Sequence, residues 1–115
     1  MNYKFSGKHV IAELYGVSDD KFSESKEIIE IVEKGIIKSG ATLIKSIYCS
    51  FDNNGFSLVS LLKESHVSLH TYPENNSIFM DVFTCGNIDG MIIVNEINKY
   101  FMPRKTETKT IIRGI

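Results

Sequence analysis

Short stretches of apolar and β-branched residues, separated by turn-forming residues, recur along most of the chain. Such stretches predict β-strands, because alternate side chains of a strand face opposite sides of a sheet. Turn signals at residues 52–55, at Pro73 and at Asn75-Asn76 separate neighbouring stretches. The predicted strands cover residues 9–15, 41–50, 56–63, 66–72, 78–84 and 105–113.

Two other segments carry apolar residues at the spacing of a helix. The first contains Ile28, Ile29, Val32 and Ile36, and the second contains Ile93, Ile97 and Phe101. Asp19 and Ser23 are candidate caps for the first helix and Asp89 for the second, because short polar side chains accept hydrogen bonds from free N–H groups there. Gly40 is suited to end the first helix, and Pro103 stops the second.

The predicted order of elements is β-α-β-β-β-β-α-β, with several strands in succession. Strands that follow one another through short turns pair antiparallel, and two helices are enough to cover one side of such a sheet. We therefore expect an α+β fold, a two-layer α/β sandwich in which a mainly antiparallel sheet carries both helices on one face. The length of 115 residues fits a single domain spanning residues 1–115.

Composition narrows the classes of partner. Lys and Arg number 13 against 14 Asp and Glu, so no basic excess favours nucleic acid. The longest apolar runs are a few residues, too short for a membrane span, and the N-terminus has no hydrophobic signal segment. We therefore expect a cytoplasmic protein that binds neither membranes nor nucleic acid. Cys49 and Cys85 lack a C-x-x-C spacing, and we expect both to be free thiols.

The strand at residues 66–72 carries an unusual row of polar side chains. Alternation places His66, Ser68, His70 and Tyr72 on one face and apolar residues on the other. Three interpretations are open. The row can be structural, like Ser and His on an ordinary edge strand; His66, His70 and Cys85 can be metal ligands, although no zinc-type spacing is present; or a Ser–His hydrolase is present, although Ser65 lies in no G-x-S-x-G motif.

A family resemblance favours a fourth interpretation. The run ESHVSLHTYPE at residues 64–74 and DVFTCG at 81–86 resemble the signature of prokaryotic S-adenosylmethionine decarboxylase. GKHVIAELY at residues 7–15 and the Gly55-Phe56-Ser57 step are also similar to that family, so the resemblance extends over nearly the whole chain. The family commonly has Trp at the position of Tyr72, a Gly-aromatic stretch at residues 75–80 and a small residue at Leu58, and these departures affect the expected substrate pocket.

The resemblance implies a proenzyme that cuts itself between Glu64 and Ser65, giving chains 1–64 and 65–115. The Ser65 hydroxyl attacks the carbonyl of Glu64, and the amide becomes an ester. His70 matches the family's base that removes the Ser65 Cα proton, a role that suits an imidazole. Ser57 matches a serine that assists processing. Elimination and hydrolysis then leave a pyruvoyl cofactor at position 65.

The resemblance also implies how the mature enzyme works. The pyruvoyl group forms a Schiff base with the substrate amine and accepts the electrons that CO2 leaves behind. Cys85 matches the proton donor to the substrate carbon. Phe51 and Glu74 match residues that contact the nucleoside of S-adenosylmethionine, although core packing is an alternative for Phe51 and a solvated turn for Glu74. The product would serve spermidine synthesis.

The family further implies a homodimer in which both subunits line each active site, with no metal and no external organic cofactor. Two alternatives remain at this level. The same pyruvoyl chemistry can act on arginine or ornithine, which also carry an α-amino acid group. The chain can instead be an unprocessed, non-catalytic partner that regulates an active subunit.

Overall fold

The secondary structure follows the predicted order. The computed structural model describes residues 6–63 and 65–114. Its strands and α-helices are β1 (Ser6–Tyr15), α1 (Ser25–Ser39), β2 (Leu43–Ser50), β3 (Phe56–Leu62), β4 (Ser65–Tyr72), β5 (Ser77–Cys85), α2 (Gly90–Phe101) and β6 (Lys105–Gly114). Two single-turn 3-10 helices lie at Asp19–Lys21 and Pro73–Asn75. The predicted α+β class is confirmed, and every predicted strand is present with small shifts at its ends.

The six strands form one antiparallel sheet in the order β2-β3-β4-β5-β1-β6. Strands β2 to β5 are neighbours in sequence and in space because short turns connect them. Strand β1 lies between β5 and β6, so the N-terminal strand pairs on both sides and is central. This arrangement places residues that are distant in sequence, such as His9 and Asp81, side by side.

Both helices pack on one face of the sheet. Alternate residues of β4 are buried on that face, namely Val67, Leu69 and Thr71. The core cluster combines such strand residues with the apolar faces of the helices, including Ile28 and Val32 of α1 and Ile93 and Ile97 of α2. We call the other side of the sheet the open face, which on β4 carries His66, Ser68, His70 and Tyr72. Among the described residues, no helix covers the open face.

The two helices approach each other closely at a glycine. A Cβ on Gly35 would lie 3.3 Å from the Cα of Ile93, so a larger residue there would push the helices apart. The Glu96 side chain on α2 is buried at this contact and pairs with the Lys38 ammonium of α1 at 3.0 Å. Close packing and this ion pair fix the helices as one layer over the sheet.

The caps of α1 differ from the expectation. Neither Asp19 nor Ser23 caps this helix: Asp19 begins the first 3-10 turn, and the Ser23 hydroxyl donates to the Asp20 carbonyl oxygen at 3.3 Å. Because the extra 3-10 turn occupies this part of the chain, α1 begins later, at Ser25. The cap of α2 is confirmed, because the Asp89 carboxylate accepts from the backbone N–H of residue 91 at 3.0 Å.

Two further expectations concern thiols and membranes. Cys49 and Cys85 are both thiols rather than a disulfide. Within residues 6–63 and 65–114, no helix is long and apolar enough to cross a bilayer.

Candidate active site

The polar row of β4 lies on the open face, as its alternation predicts. His66, Ser68 and His70 are half-buried, whereas Tyr72 is 39% exposed. Directly opposed residues in antiparallel strands share a face. Ser57 of β3 and Phe79 of β5 flank His70 in this way, and the open face continues through them.

Ser57 and His70 form the first of two pairs in the site. They are directly opposed across β3 and β4, and the Ser57 Oγ lies 2.9 Å from the His70 Nδ1. When Nδ1 carries the proton and donates to Ser57, Nε2 has a free lone pair and can act as a base. The serine thus orients the imidazole, and the tautomer with its proton on Nδ1 is the one suited to proton abstraction.

Ser65 and Cys85 lie at the other end of the β4–β5 ladder, close in backbone position, with the Ser65 side chain on the helix-covered face and Cys85 on the open face by alternation. Ser65 is the first residue of β4, and its neighbour His66 pairs with Phe83 of β5. Cys85 is the last residue of β5, two positions beyond Phe83, and it is also opposed to Gly7 of β1. Both side chains are partly exposed. The predicted processing residue Glu64 lies outside the described residues.

One subunit does not bring these two pairs together. Ser65 and His70 are five positions apart on the same strand. At a rise of about 3.3 Å per residue, this separates their Cα atoms by roughly 16 Å, far beyond the reach of a proton transfer. The same separation excludes the metal-ligand set of His66, His70 and Cys85, since His70 and Cys85 occupy opposite ends of the strands.

Phe51 and Glu74, the predicted nucleoside contacts, lie at the His70 end of the sheet. Phe51 begins the turn between β2 and β3, where its backbone N–H donates to the Gly55 carbonyl oxygen at 2.8 Å. Its side chain is 54% exposed, which excludes the alternative of core packing. Glu74 lies in the 3-10 turn between β4 and β5 and is also exposed. The predicted substrate contacts therefore lie at the same end of the sheet as the Ser57–His70 pair.

Sequence reasoning missed a cluster at the middle of the open face. It contains His9, His66, Ser68 and Asp81, and we call it the Asp81 cluster. The Asp81 Oδ2 lies 2.6 Å from the His9 Nε2 and 3.2 Å from the His66 Nε2. Ser68 donates to the other carboxylate oxygen. The available sequence signal was a lone carboxylate at an alternating strand position, between the apolar residues Met80 and Val82.

The charge state of this cluster follows from its contacts. Burial disfavours ionisation of Asp81, but hydrogen bonds from Ser68, His9 and His66 outweigh burial and hold the pKa of the carboxyl below its usual value. The Arg113 Nη1 lies 3.5 Å from the His9 Nδ1. Because a guanidinium only donates, His9 accepts at Nδ1 and donates from Nε2 to Asp81.

The ligating atoms of His9, His66 and Asp81 lie within 4.8 Å of one another, close enough for a metal ion to be considered. An imidazole that binds metal through Nε2 carries its proton on Nδ1, and that proton would face the Arg113 guanidinium at His9. The contacts therefore fit a hydrogen-bonded carboxylate better than a metal centre.

Comparison with known proteins gives one consistent family. The profile described as S-adenosylmethionine decarboxylase matches residues 8–114. The S-adenosylmethionine decarboxylase proenzyme of Methanococcus maripaludis is 39% identical over 110 residues, which is 95% of this chain and 90% of that protein. The proenzyme of Clostridium botulinum is 33% identical over 96% of this chain and 97% of its own length.

A solved structure agrees in fold as well as in sequence. The adenosylmethionine decarboxylase from Aquifex aeolicus superposes with a TM-score of 0.88 at 33% identity, covering 98% of this chain and 94% of that one. Similarity at this level extends over the sheet, both helices and all the strands that carry the site. The chain belongs to the S-adenosylmethionine decarboxylase family, whose members are decarboxylases made as proenzymes.

Proposed function

We propose that this chain cuts itself between Glu64 and Ser65, carries a pyruvoyl group on the new chain end, and decarboxylates S-adenosylmethionine for polyamine synthesis. Family membership supports the reaction. The observation that carries the assignment of residues is the Ser57–His70 hydrogen bond, together with the placement of Ser65 and Cys85 at one end of the β4–β5 pair.

The residues fit a pyruvoyl group made from Ser65. Ser65 supplies the hydroxyl that attacks the Glu64 carbonyl, and its position at the start of β4 leaves the following residues in the ladder after the chain breaks. The base needed next must remove the Ser65 Cα proton, so that the Cβ–O bond breaks and Glu64 leaves as a carboxylate. An imidazole oriented by a serine is suited to this step at neutral pH.

The decarboxylation step uses Cys85, which lies at the same end of the β4–β5 pair as position 65. When formed, the pyruvoyl group supplies a carbonyl that binds the substrate amine and draws electrons from the bond to CO2. The Cys85 thiol then delivers a proton to the substrate carbon that lost CO2, a role open to a partly exposed thiol beside position 65. This chemistry needs no metal.

The distance between the two pairs supports a homodimer with shared sites. If the open faces of two subunits meet about a two-fold axis near the middle of β4, the Ser65 end of each lies over the partner's His70 end. Facing sheets lie about 10 Å apart, so side chains from both reach the space between them. The open face is also apolar near β3: Ile47, Val59 and Leu61 are 65%, 46% and 52% exposed in the single subunit.

The proposed dimer arrangement also supports S-adenosylmethionine as the substrate. In such a dimer, Phe51 and Glu74 of one subunit flank the site where the other supplies Ser65 and Cys85. An exposed aromatic ring can stack on adenine and attract a sulfonium, and a carboxylate can accept ribose hydroxyls. These groups favour a nucleoside over arginine or ornithine, which have no base or ribose. A cytoplasmic location and the absence of other partners remain predictions.

The test is a direct measurement of cutting and of CO2 release. Purified protein is analysed by mass spectrometry and then incubated separately with carboxyl-labelled S-adenosylmethionine, arginine and ornithine. We expect two fragments with a break before residue 65 and label released from S-adenosylmethionine, with Ser65→Ala abolishing both. If labelled CO2 is released only from arginine or ornithine, the substrate assignment is wrong, but the proposed pyruvoyl mechanism stands. One uncut chain of 13.0 kDa would instead favour the regulatory alternative.

A further inference from the structure

The Asp81 cluster holds the side chain that directly follows the proposed cut. His66 is bonded through its backbone nitrogen to residue 65, and its Nε2 lies 3.2 Å from the Asp81 Oδ2. The His66 ring also contacts the Phe83 ring at 5.9 Å between centroids and the His9 ring at 5.8 Å. His66 is therefore held by polar and aromatic contacts from β5 and β1, the two strands beyond β4.

Asp81 is itself fixed from several sides. Ser68 donates to one carboxylate oxygen and His9 donates to the other, so Asp81 is oriented without any contribution from His66. Arg113 holds the His9 tautomer through Nδ1 and stacks over the Phe83 ring, 4.8 Å from its centroid. The carboxylate thus offers His66 an acceptor that stays in place when β4 loses its connection to β3.

Cutting changes what constrains the start of β4. Before the cut, the chain connection from β3 restrains residue 65 covalently. Afterwards, position 65 is a chain end held only by the ladder and by side-chain contacts of its neighbours. Newly freed strand ends tend to fray, because few contacts oppose their opening. His66 is the first residue past the cut with a side-chain anchor on another strand.

We infer that Asp81, with His9 and Ser68, is a positioning residue that anchors His66 and so keeps the pyruvoyl-bearing chain end beside Cys85 after self-cleavage. This inference rests on the proposed function, because it requires the cut between Glu64 and Ser65. Asp81 does not touch the reacting atoms; it acts through His66. Its contribution should consequently be small in the uncut chain and large in the cut one.

The test compares cut and uncut protein with and without the carboxylate. Four proteins are prepared: wild type, Asp81→Asn, uncut Ser65→Ala, and the double variant. Amide hydrogen exchange is followed by mass spectrometry in peptides from the first half of β4. A hydrogen bond to a charged group typically stabilises the closed state enough to lower the opening equilibrium constant, and with it the amide exchange rate, by about tenfold or more. We expect Asp81→Asn to raise exchange about tenfold in the cut protein and little in the Ser65→Ala background.

Turnover gives a second readout with a different signature. The Asp81→Asn enzyme should cut at a near wild-type rate, keep its KM and lose about tenfold in kcat. Glu13→Gln is the matched control, because Glu13 is an open-face carboxylate of β1 with a hydroxyl partner, Tyr15, at 2.5 Å. It should leave exchange at the start of β4 unchanged in both backgrounds.

Every outcome decides between the alternatives. Equal effects of Asp81→Asn in cut and uncut protein would show a general structural role and overturn the inference, and so would no effect in either. If wild type is never cut, the proposed function itself is wrong. A denaturing gel identifies that case, because wild type and Ser65→Ala then both run as one uncut chain. If Asp81→Asn blocks cutting itself, Asp81 acts before the break, and the inference is wrong.

Discussion

The sharpest prediction concerns which chain is cut in a mixed dimer. His70→Ala removes the proposed base, and Cys85→Ala removes the proposed proton donor. The two variants are co-expressed with different affinity tags, and the mixed dimer is purified through both tags. In this dimer one composite site has Ser65 and Cys85 from the first variant and His70 from the second, whereas the other site lacks both functional groups.

The expected magnitude follows from the separation along β4. Roughly 16 Å between Ser65 and His70 of one subunit excludes proton transfer within that subunit. The intact composite site should therefore work alone, giving about half of the wild-type activity per dimer. Cutting should be asymmetric in an unexpected direction: the chain that lacks His70 is cut, because its Ser65 lies beside the partner's intact histidine. The chain that carries Cys85→Ala should stay whole.

Intact-mass spectrometry distinguishes the two chains by their tags, and labelled CO2 release measures turnover. Each homodimeric variant is the baseline, with His70→Ala uncut and Cys85→Ala cut but slow. A site contained in one subunit predicts the reverse pattern, in which the Cys85→Ala chain of the mixed dimer is cut and the His70→Ala chain is not. That result, or no recovery of activity, would refute the shared-site reasoning.

Four further predictions test the remaining steps. Cys85→Ala should cut normally but turn over at least tenfold more slowly and inactivate during turnover, since protonation at the substrate carbon fails; single-turnover kinetics measures this. Val59→Asp should give a folded monomer that does not cut, because a charge cannot be buried between open faces; light scattering reports its mass. Ile97→Ala, at a position with 0% exposure, should lower the free energy of unfolding by about 2–5 kcal/mol in a urea titration. Comparing cut wild type with cut Asp81→Asn, the difference in the free energy of unfolding should be present above pH 3.8 and shrink below it, because the lowered pKa of Asp81 makes its contribution disappear as the carboxylate becomes protonated.

Controls make these outcomes decisive. Ile37 is 69% exposed on α1, on the helix layer rather than the open face. Ile37→Asp should therefore stay dimeric and cut, and Ile37→Ala should change stability by well under the Ile97→Ala value. A dimeric, active Val59→Asp protein would contradict the proposed interface. A stability difference at Asp81 that grows toward acid would show that its carboxyl is not held ionised by its partners.

The order of elements and the two faces of β4 could be predicted from the sequence, because local periodicity sets them. Alternation in residues 66–72 fixes which side chains share a face, and the i, i+4 spacing of Ile93 and Ile97 fixes a helix. The roles of the candidate residues came instead from the family resemblance, which rests mainly on the motifs at residues 64–74 and 81–86. The caps of α1 could not be predicted, because an extra 3-10 turn at Asp19–Lys21 competed with the helix start.

Only the tertiary structure decided which of these residues meet. Placing β1 between β5 and β6 brings His9 against Asp81, a contact across 72 positions that no local pattern encodes. Strand register pairs Ser57 with His70 and, because strands are extended, also keeps His70 far from Ser65. Sequence determined the chemical groups and their faces through short-range periodicity. Their partners depend on long-range pairing, which is set by how the whole sheet buries its apolar face.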